Sequence, residues 1–141
     1  MDDGHDPYQL RPVGRVRSAL RDAAAAPMQA DEGAPAAWLE FDDGVRDAVR
    51  DLSPGDRVVV LTWLHRADRD VLAVHPRDDA TRPRLGVFST RSQDRPNPIG
   101  LHTVTVTTVE GTRVAVDHLE AIDGTPVLDV KPVLHTDPAQ R

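Results

Sequence analysis

With 141 residues, 39% of them apolar and 28% charged, the chain has room for one core of ordinary size and none for a second. No apolar run approaches the roughly 20 residues that a spanning helix needs, and the absence of cysteine excludes disulfides, thiolate metal sites and cysteine nucleophiles together. The net charge of −6 argues against a broad phosphate-binding face, although Arg82, Arg84, Arg91 and Arg95 stand against the single acid Asp94 between Thr81 and Thr105.

The opening MDDGHDPYQL is acidic and polar, unlike a secretory signal, so a cytoplasmic protein is expected. Residues 1–10 and 135–141 read as tails around one domain over 11–134. A first strand is predicted over 12–18. The alanine-rich stretch 19–36, broken by Pro27, Gly33 and Pro35, predicts a loop with at most one helical turn. A short strand over 38–41 precedes Val45, Val49 and Leu52, spaced i, i+4 and i+7 behind aspartates that favour a helix dipole. That stripe predicts a short helix over 44–52, stopped by Ser53-Pro54-Gly55. The segment DRVVVLTWLHRA is β-branched and apolar on both faces, which predicts a central strand. Short strands are expected over 71–75 and 86–90. Then LHTVTVTTV alternates up to a Glu110-Gly111 turn, TRVAVDHLEAI returns as its hairpin partner, and Asp123-Gly124 turns the chain into TPVLDVKPVL. Seven or so short strands with one short helix make a mainly β fold, a small mixed or antiparallel β-barrel.

The six histidines, His5, His65, His75, His102, His118 and His135, match no metal-ligand spacing, so no metal is expected. The chain contains no GxSxG elbow, no phosphate-binding P-loop and no GxGxxG fingerprint. The distinctive stretch is STRSQDRPNPIG. Pro96 and Pro98 fix their own φ and push Arg95 and Asn97 towards extended backbone. Along that stiff rail Arg91 and Arg95 offer forked donors for an anion, Asn97 offers both donor and acceptor, and Gly100 permits close approach. The same pattern also serves a rigid surface connection with solvated arginines. In EAIDGTPVLDVKP the Asp-Gly pair is equally a common hairpin turn and, with the Thr125 hydroxyl, a clamp for a polar ligand.

Taken together, GVFSTRSQDRPNPIGL and the downstream DGTPVLDVKP, with the weaker VGRVRS, APMQ and WLHRA upstream, resemble the TsaA-like, or TrmO-type, family of S-adenosylmethionine-dependent methyltransferases. The resemblance covers residues 11–134. It implies a small single-domain β-barrel with one or two short helices, unlike the Rossmann fold of most methyltransferases. It also implies a homodimer with the cofactor near the subunit boundary, and methylation of N6 of threonylcarbamoyl-adenosine next to the tRNA anticodon. Carried over by position, it implies cofactor contacts from Pro27, Met28, Gln29, His65, Arg66, Arg91, Leu101, Ile122, Asp123, Gly124 and Thr125. Arg95, Asn97 and Pro98 would shape the acceptor side, with His65 or Asp123 as base. The family often has a basic residue where Met28 stands, and many members carry a further C-terminal domain. A small-metabolite acceptor therefore stands beside tRNA as an alternative, as does a noncatalytic module that binds S-adenosylmethionine. A plain oligonucleotide-binding barrel would use exposed aromatics for stacking, and the chain has five Phe, Tyr and Trp residues in all.

Overall fold

Valines at every second position of two long strands set the architecture. In the computed structural model, which describes residues 7–21 and 34–134, eight strands follow in chain order: β1 (Gly14–Arg17), β2 (Ala37–Phe41), β3 (Arg57–Trp63), β4 (Ala73–Val74), β5 (Leu85–Gly86), β6 (Ile99–Glu110), β7 (Arg113–Val116) and β8 (Pro126–Pro132). Val58 and Val60 of β3 and Val104 and Val106 of β6 point inward and are buried, while Thr103 and Thr107 face out. Period-2 alternation of this kind fixes the register, because a one-residue slip would turn the whole apolar set outward.

Six strands close into a barrel in the order β1-β2-β7-β6-β3-β8, with every neighbouring pair antiparallel. Closure leaves no free edge. Register shifts against β8 between Leu61 and Thr62, and against β7 between Val106 and Thr108, bend the β3–β8 and β6–β7 ladders, as closure of so small a barrel requires. Val16, Leu39, Val114, Val116, Leu119 and Val127 complete the dry interior. Each such side chain contributes about 1.5–3 kcal/mol by leaving water. At Gly14 the β1 and β2 backbones approach so closely that a Cβ would strike the Glu40 carbonyl and come within 2.9 Å of Phe41 Cα.

β4 and β5 form a separate two-stranded ribbon between β3 and β6. Two expectations are corrected. The strand foreseen over 86–90 ends at Gly86, and Val87–Ser89 forms a 3-10 turn closed by the Thr90 amide on the Val87 carbonyl. The helix foreseen over 44–52 shrinks to a 3-10 turn, Asp43–Val45, followed by one α turn, α1 (Arg46–Val49). Only Val49 of its apolar stripe is fully buried, so a longer helix would gain little from packing. Among the described residues no helix is long and apolar enough to cross a membrane.

The strand directions put the ends of β1, β3 and β7 and the starts of β2, β6 and β8 at one end of the barrel. The three segments that carry the sequence motifs therefore converge there: the turn after β3, the proline loop before β6 and the connection before β8.

Candidate functional site

At that end, Leu64, His65, Arg66 and Ala67 from the turn after β3, Gln93 from the proline loop, and Glu120, Ala121, Ile122 and Thr125 from the connection before β8 line a half-open cleft. The cleft encloses about 30 Å3, the room of roughly one small polar group. Its walls are partly apolar, and it carries both a guanidinium and a carboxylate. Among the described residues Arg66 and Glu120 form no ion pair with each other; Arg66 instead makes a long hydrogen bond from Nη1 to the Arg21 carbonyl, 3.3 Å.

His65 sits at this rim in a state set by its surroundings. Partial burial lowers its pKa below the usual imidazole value, and the charges of Arg66 and Arg15 add to that, against a smaller opposing effect of a hydrogen bond to the Trp63 backbone. The neutral ring, able to accept a hydrogen bond or a proton, is thereby favoured at pH 7.

Behind the cleft lies a buried polar chain that the sequence did not reveal. Glu120 stands between Leu119 and Ala121, both buried in the core, and its Oε1 accepts from His102 Nδ1 at 2.7 Å. A carboxylate can only accept, so Nδ1 carries the hydrogen; Nε2 then faces the Thr62 hydroxyl, also at 2.7 Å. His102 and Thr62 are inward residues of β6 and β3, with 4% and 0% exposure, and Gly100 supplies the space between them. A Cβ on Gly100 would collide with Thr62 Oγ1 and His102 Nε2. The remaining oxygen, Glu120 Oε2, is buried with no hydrogen-bond partner among the described residues. One signal was available in the sequence: His102 and Gly100 share the inward phase of Val104 and Val106. Their partner, 18 residues further on, lies in an irregular connection that no spacing rule reaches.

The proline loop is fastened rather than open. Reading Arg95 as a free fork for an anion is corrected: its Nε donates to the Ser92 carbonyl (2.7 Å), and its Nη2 donates to the carbonyls of Val87 (2.8 Å) and Thr90 (2.6 Å). The guanidinium thus closes the 3-10 turn onto the loop. Arg69, stacked 5.1 Å from the Trp63 ring centroid, donates from Nε to the Pro96 carbonyl (2.7 Å) and from Nη2 to Asn97 Oδ1 (3.1 Å). The carbonyl of buried Pro98 takes the Leu64 amide at 2.8 Å, and Asp94 Oδ1 takes the Asp68 amide at 2.9 Å. The prolines have no amide to satisfy, and their carbonyls pin the turn that bears His65 and Arg66.

The 122–125 turn is likewise stitched to β1. The amides of Asp123 and Gly124 donate to the carbonyls of Leu20 and Val16, and the amide and hydroxyl of Thr125 both donate to the Ile122 carbonyl. Asp123 accepts the Ser18 amide on Oδ1 (3.0 Å) and pairs through Oδ2 with Arg21 (3.2 Å). Gly124 takes a φ of +84°, which glycine adopts without strain. Reading these turn donors as a ligand clamp is therefore corrected, since they are already engaged within the protein.

Of the residues singled out from sequence, the cleft brings together His65, Arg66, Ile122 and Thr125, with Asp123 and Gly124 in the same turn. Arg91 is exposed two residues before Gln93, outside the cleft lining. Leu101 faces outward from β6, opposite Leu61, with 47% exposure. Pro27, Met28 and Gln29 lie outside the described residues. Among the described residues no three His, Asp or Glu side chains converge on a metal position.

The chain and its fold have counterparts among known proteins. The chain belongs to the family described as tRNA-methyltransferase O N-terminal domain, whose model matches residues 15–137. A probable S-adenosyl-L-methionine-binding protein of Archaeoglobus fulgidus is 40% identical over 128 residues, covering 91% of this chain and 34% of that protein. Another of the same description, from Methanothermobacter thermautotrophicus, is 41% identical over 124 residues and covers 88% of each chain. The crystal structure of TrmO from Pseudomonas aeruginosa superposes with a TM-score of 0.74 at 28% identity, over 99% of this chain and 62% of that one. The chain thus spans about a third of the Archaeoglobus relative and under two thirds of the TrmO chain.

Proposed function

We propose that the protein is an S-adenosylmethionine-dependent N-methyltransferase acting on N6 of threonylcarbamoyl-adenosine in tRNA, next to the anticodon, as a cytoplasmic homodimer. The observation that carries this reading is the cleft itself. His65, Arg66 and the 122–125 turn meet there in a chain whose family model is that of a tRNA methyltransferase. The donor set suits such a cofactor, because opposite charges that do not pair with each other, beside Leu64, Ala67, Ala121 and Ile122, match a ligand with a zwitterionic end and an apolar body. His65, Arg66 and Gln93 would hold it, with Ile122 and Thr125 as packing walls rather than hydrogen-bond donors, together with Pro27, Met28, Gln29, Arg91 and Leu101 from the family resemblance.

When bound, S-adenosylmethionine supplies a methyl group already activated on a sulfonium, so the protein needs no covalent nucleophile and works by alignment. The acceptor nitrogen must lose a proton as it gains the methyl group. His65, held neutral at pH 7, takes that proton directly or through water. Asp123, with both oxygens engaged, positions the turn and the 18–21 segment. Arg95 and Asn97 hold the rail that orients the His65 turn. Arg15, Arg21 and Arg66 form a local cationic rim where an anionic acceptor can approach an otherwise acidic molecule.

The net charge of −6 favours a second reading, methylation of a small metabolite by the same barrel. Calorimetry with S-adenosylmethionine, followed by mass analysis of tRNA nucleosides and pooled metabolites after incubation with a labelled methyl donor, separates the two. Label in the threonylcarbamoyl-adenosine nucleoside supports the first reading; label confined to the metabolite pool supports the second. Binding without product in any pool would leave a ligand-binding module.

A further inference from the structure

Glu120 is a carboxylate with one oxygen spoken for and one not. Its Oε1 is held by His102, and His102 is held in turn by Thr62, so the group cannot swing away to find solvent. Its Oε2 is buried and accepts no hydrogen bond from any of the described residues. A buried, unpaired carboxylate oxygen is costly to a folded protein, and a fixed one is costlier still because it cannot relax. Such a group persists where a ligand completes it. The completing atom must carry N–H, and a full positive charge on it compensates the carboxylate best.

The surroundings narrow the ligand further. In the cleft, Glu120 and Arg66 stand beside Leu64, Ala67, Ala121 and Ile122, a lining that suits a charged group carried on an apolar body. Arg66 lines the same cleft without pairing to Glu120. One carboxylate and one guanidinium on opposite account of charge, unspent on each other, complement the ammonium and carboxylate of a free α-amino acid end.

We propose that Glu120 is a specificity-determining binding residue whose Oε2 accepts an N–H of the α-ammonium at the amino-acid end of the cofactor, with His102 and Thr62 as positioning residues behind it. This rests on the S-adenosylmethionine reading above. It places the amino-acid end against the 120–122 connection. Gly100 belongs to the same device, because only a residue without Cβ lets Thr62 and His102 meet.

The test is calorimetry with wild type and Glu120→Gln against three ligands. S-adenosylmethionine and S-adenosylhomocysteine both carry the α-ammonium; methylthioadenosine lacks the amino-acid end. Glu120→Gln is expected to weaken the first two about 10-fold or more and to leave methylthioadenosine within about 2-fold. Equal affinities for all three, or an equal loss for all three, would overturn the proposal. A second measurement needs no variant: on the wild-type protein, S-adenosylhomocysteine with its α-amino group replaced by hydrogen should lose about the same factor. If that analogue binds as well as its parent, Glu120 does not read the ammonium. Failure of the underlying reading looks different, since wild type would then bind neither S-adenosylmethionine nor S-adenosylhomocysteine, and both proposals would fall together.

Discussion

The loop over 90–98 and the connection over 119–125 both carry charged side chains to the same end of the barrel, and they use them in opposite ways. In the first, Arg95 serves three main-chain carbonyls, and Asn97, Asp94 and the carbonyls of Pro96 and Pro98 are each tied to the turn after β3. In the second, Glu120 is fixed at one oxygen and bare at the other. A dense polar motif can therefore be scaffold, while a single acid between two buried apolar residues can be the binding group. What separates them is whether the protein itself satisfies the donors and acceptors.

Substitutions can break this contrast. The largest stability loss is expected from Arg95→Ala, which takes the guanidinium partner from the carbonyls of Thr90 and Ser92 and leaves that of Val87 to Thr90 alone: about 3 kcal/mol, read as a lowered urea midpoint. A loss below about 1 kcal/mol would mean that water replaces the guanidinium and that the loop is not fastened by it. Gly100→Ala should come next, at about 2 kcal/mol, because the new methyl drives Thr62 and His102 apart. It should also weaken S-adenosylmethionine binding in the fraction that remains folded, whereas an Arg95→Lys protein that stays folded should bind normally. Asn97→Ala removes an exposed contact with Arg69 and should cost about 0.5–1 kcal/mol in the same titration.

The smallest effect concerns pH. The folded protein holds His65 below its ordinary pKa, so it binds fewer protons there than the unfolded chain. The resulting stability is fully present above the unfolded value of 6.5 and is lost as pH falls through the lower folded value. Because the ring is largely exposed, that change is small. Ligand affinity should follow the same direction, since protonation adds a positive charge beside Arg66 and Arg15 at the site proposed to take an ammonium. In His65→Gln the decline in affinity below pH 6.5 should flatten; an unchanged pH profile would assign the decline to another group.

Much of the barrel was legible in the sequence because its information is local. A continuous β-branched and apolar run marked β3, alternating valines marked β6 and β7, and the Gly111 and Asp123-Gly124 turns marked where strands begin. The strand expected over 86–90 failed because GVFST has the β-branched and aromatic character of a strand, yet Val87 is tied by its carbonyl to Thr90 and Arg95, a tertiary contact that propensity does not encode. The candidate site divides along the same line. His65 and Arg66 follow directly from β3, and Ile122 and Thr125 from a recognisable turn. Glu120 becomes a site residue only because the closed barrel sets it against His102 on another strand. Arg95 and Asn97 stood out for their chemistry, and nothing in their spacing showed that neighbouring carbonyls and Arg69 would occupy it.

A solution NMR titration of the 141-residue protein with S-adenosylmethionine tests the central claim most directly. Amide shifts should concentrate on residues 64–67, on Gln93 and on residues 120–125, with Arg95 and Asn97 little changed. Shifts centred instead on Arg95, Asn97 and the outward face of β6 around Leu101, with 64–67 and 120–122 unmoved, would contradict it.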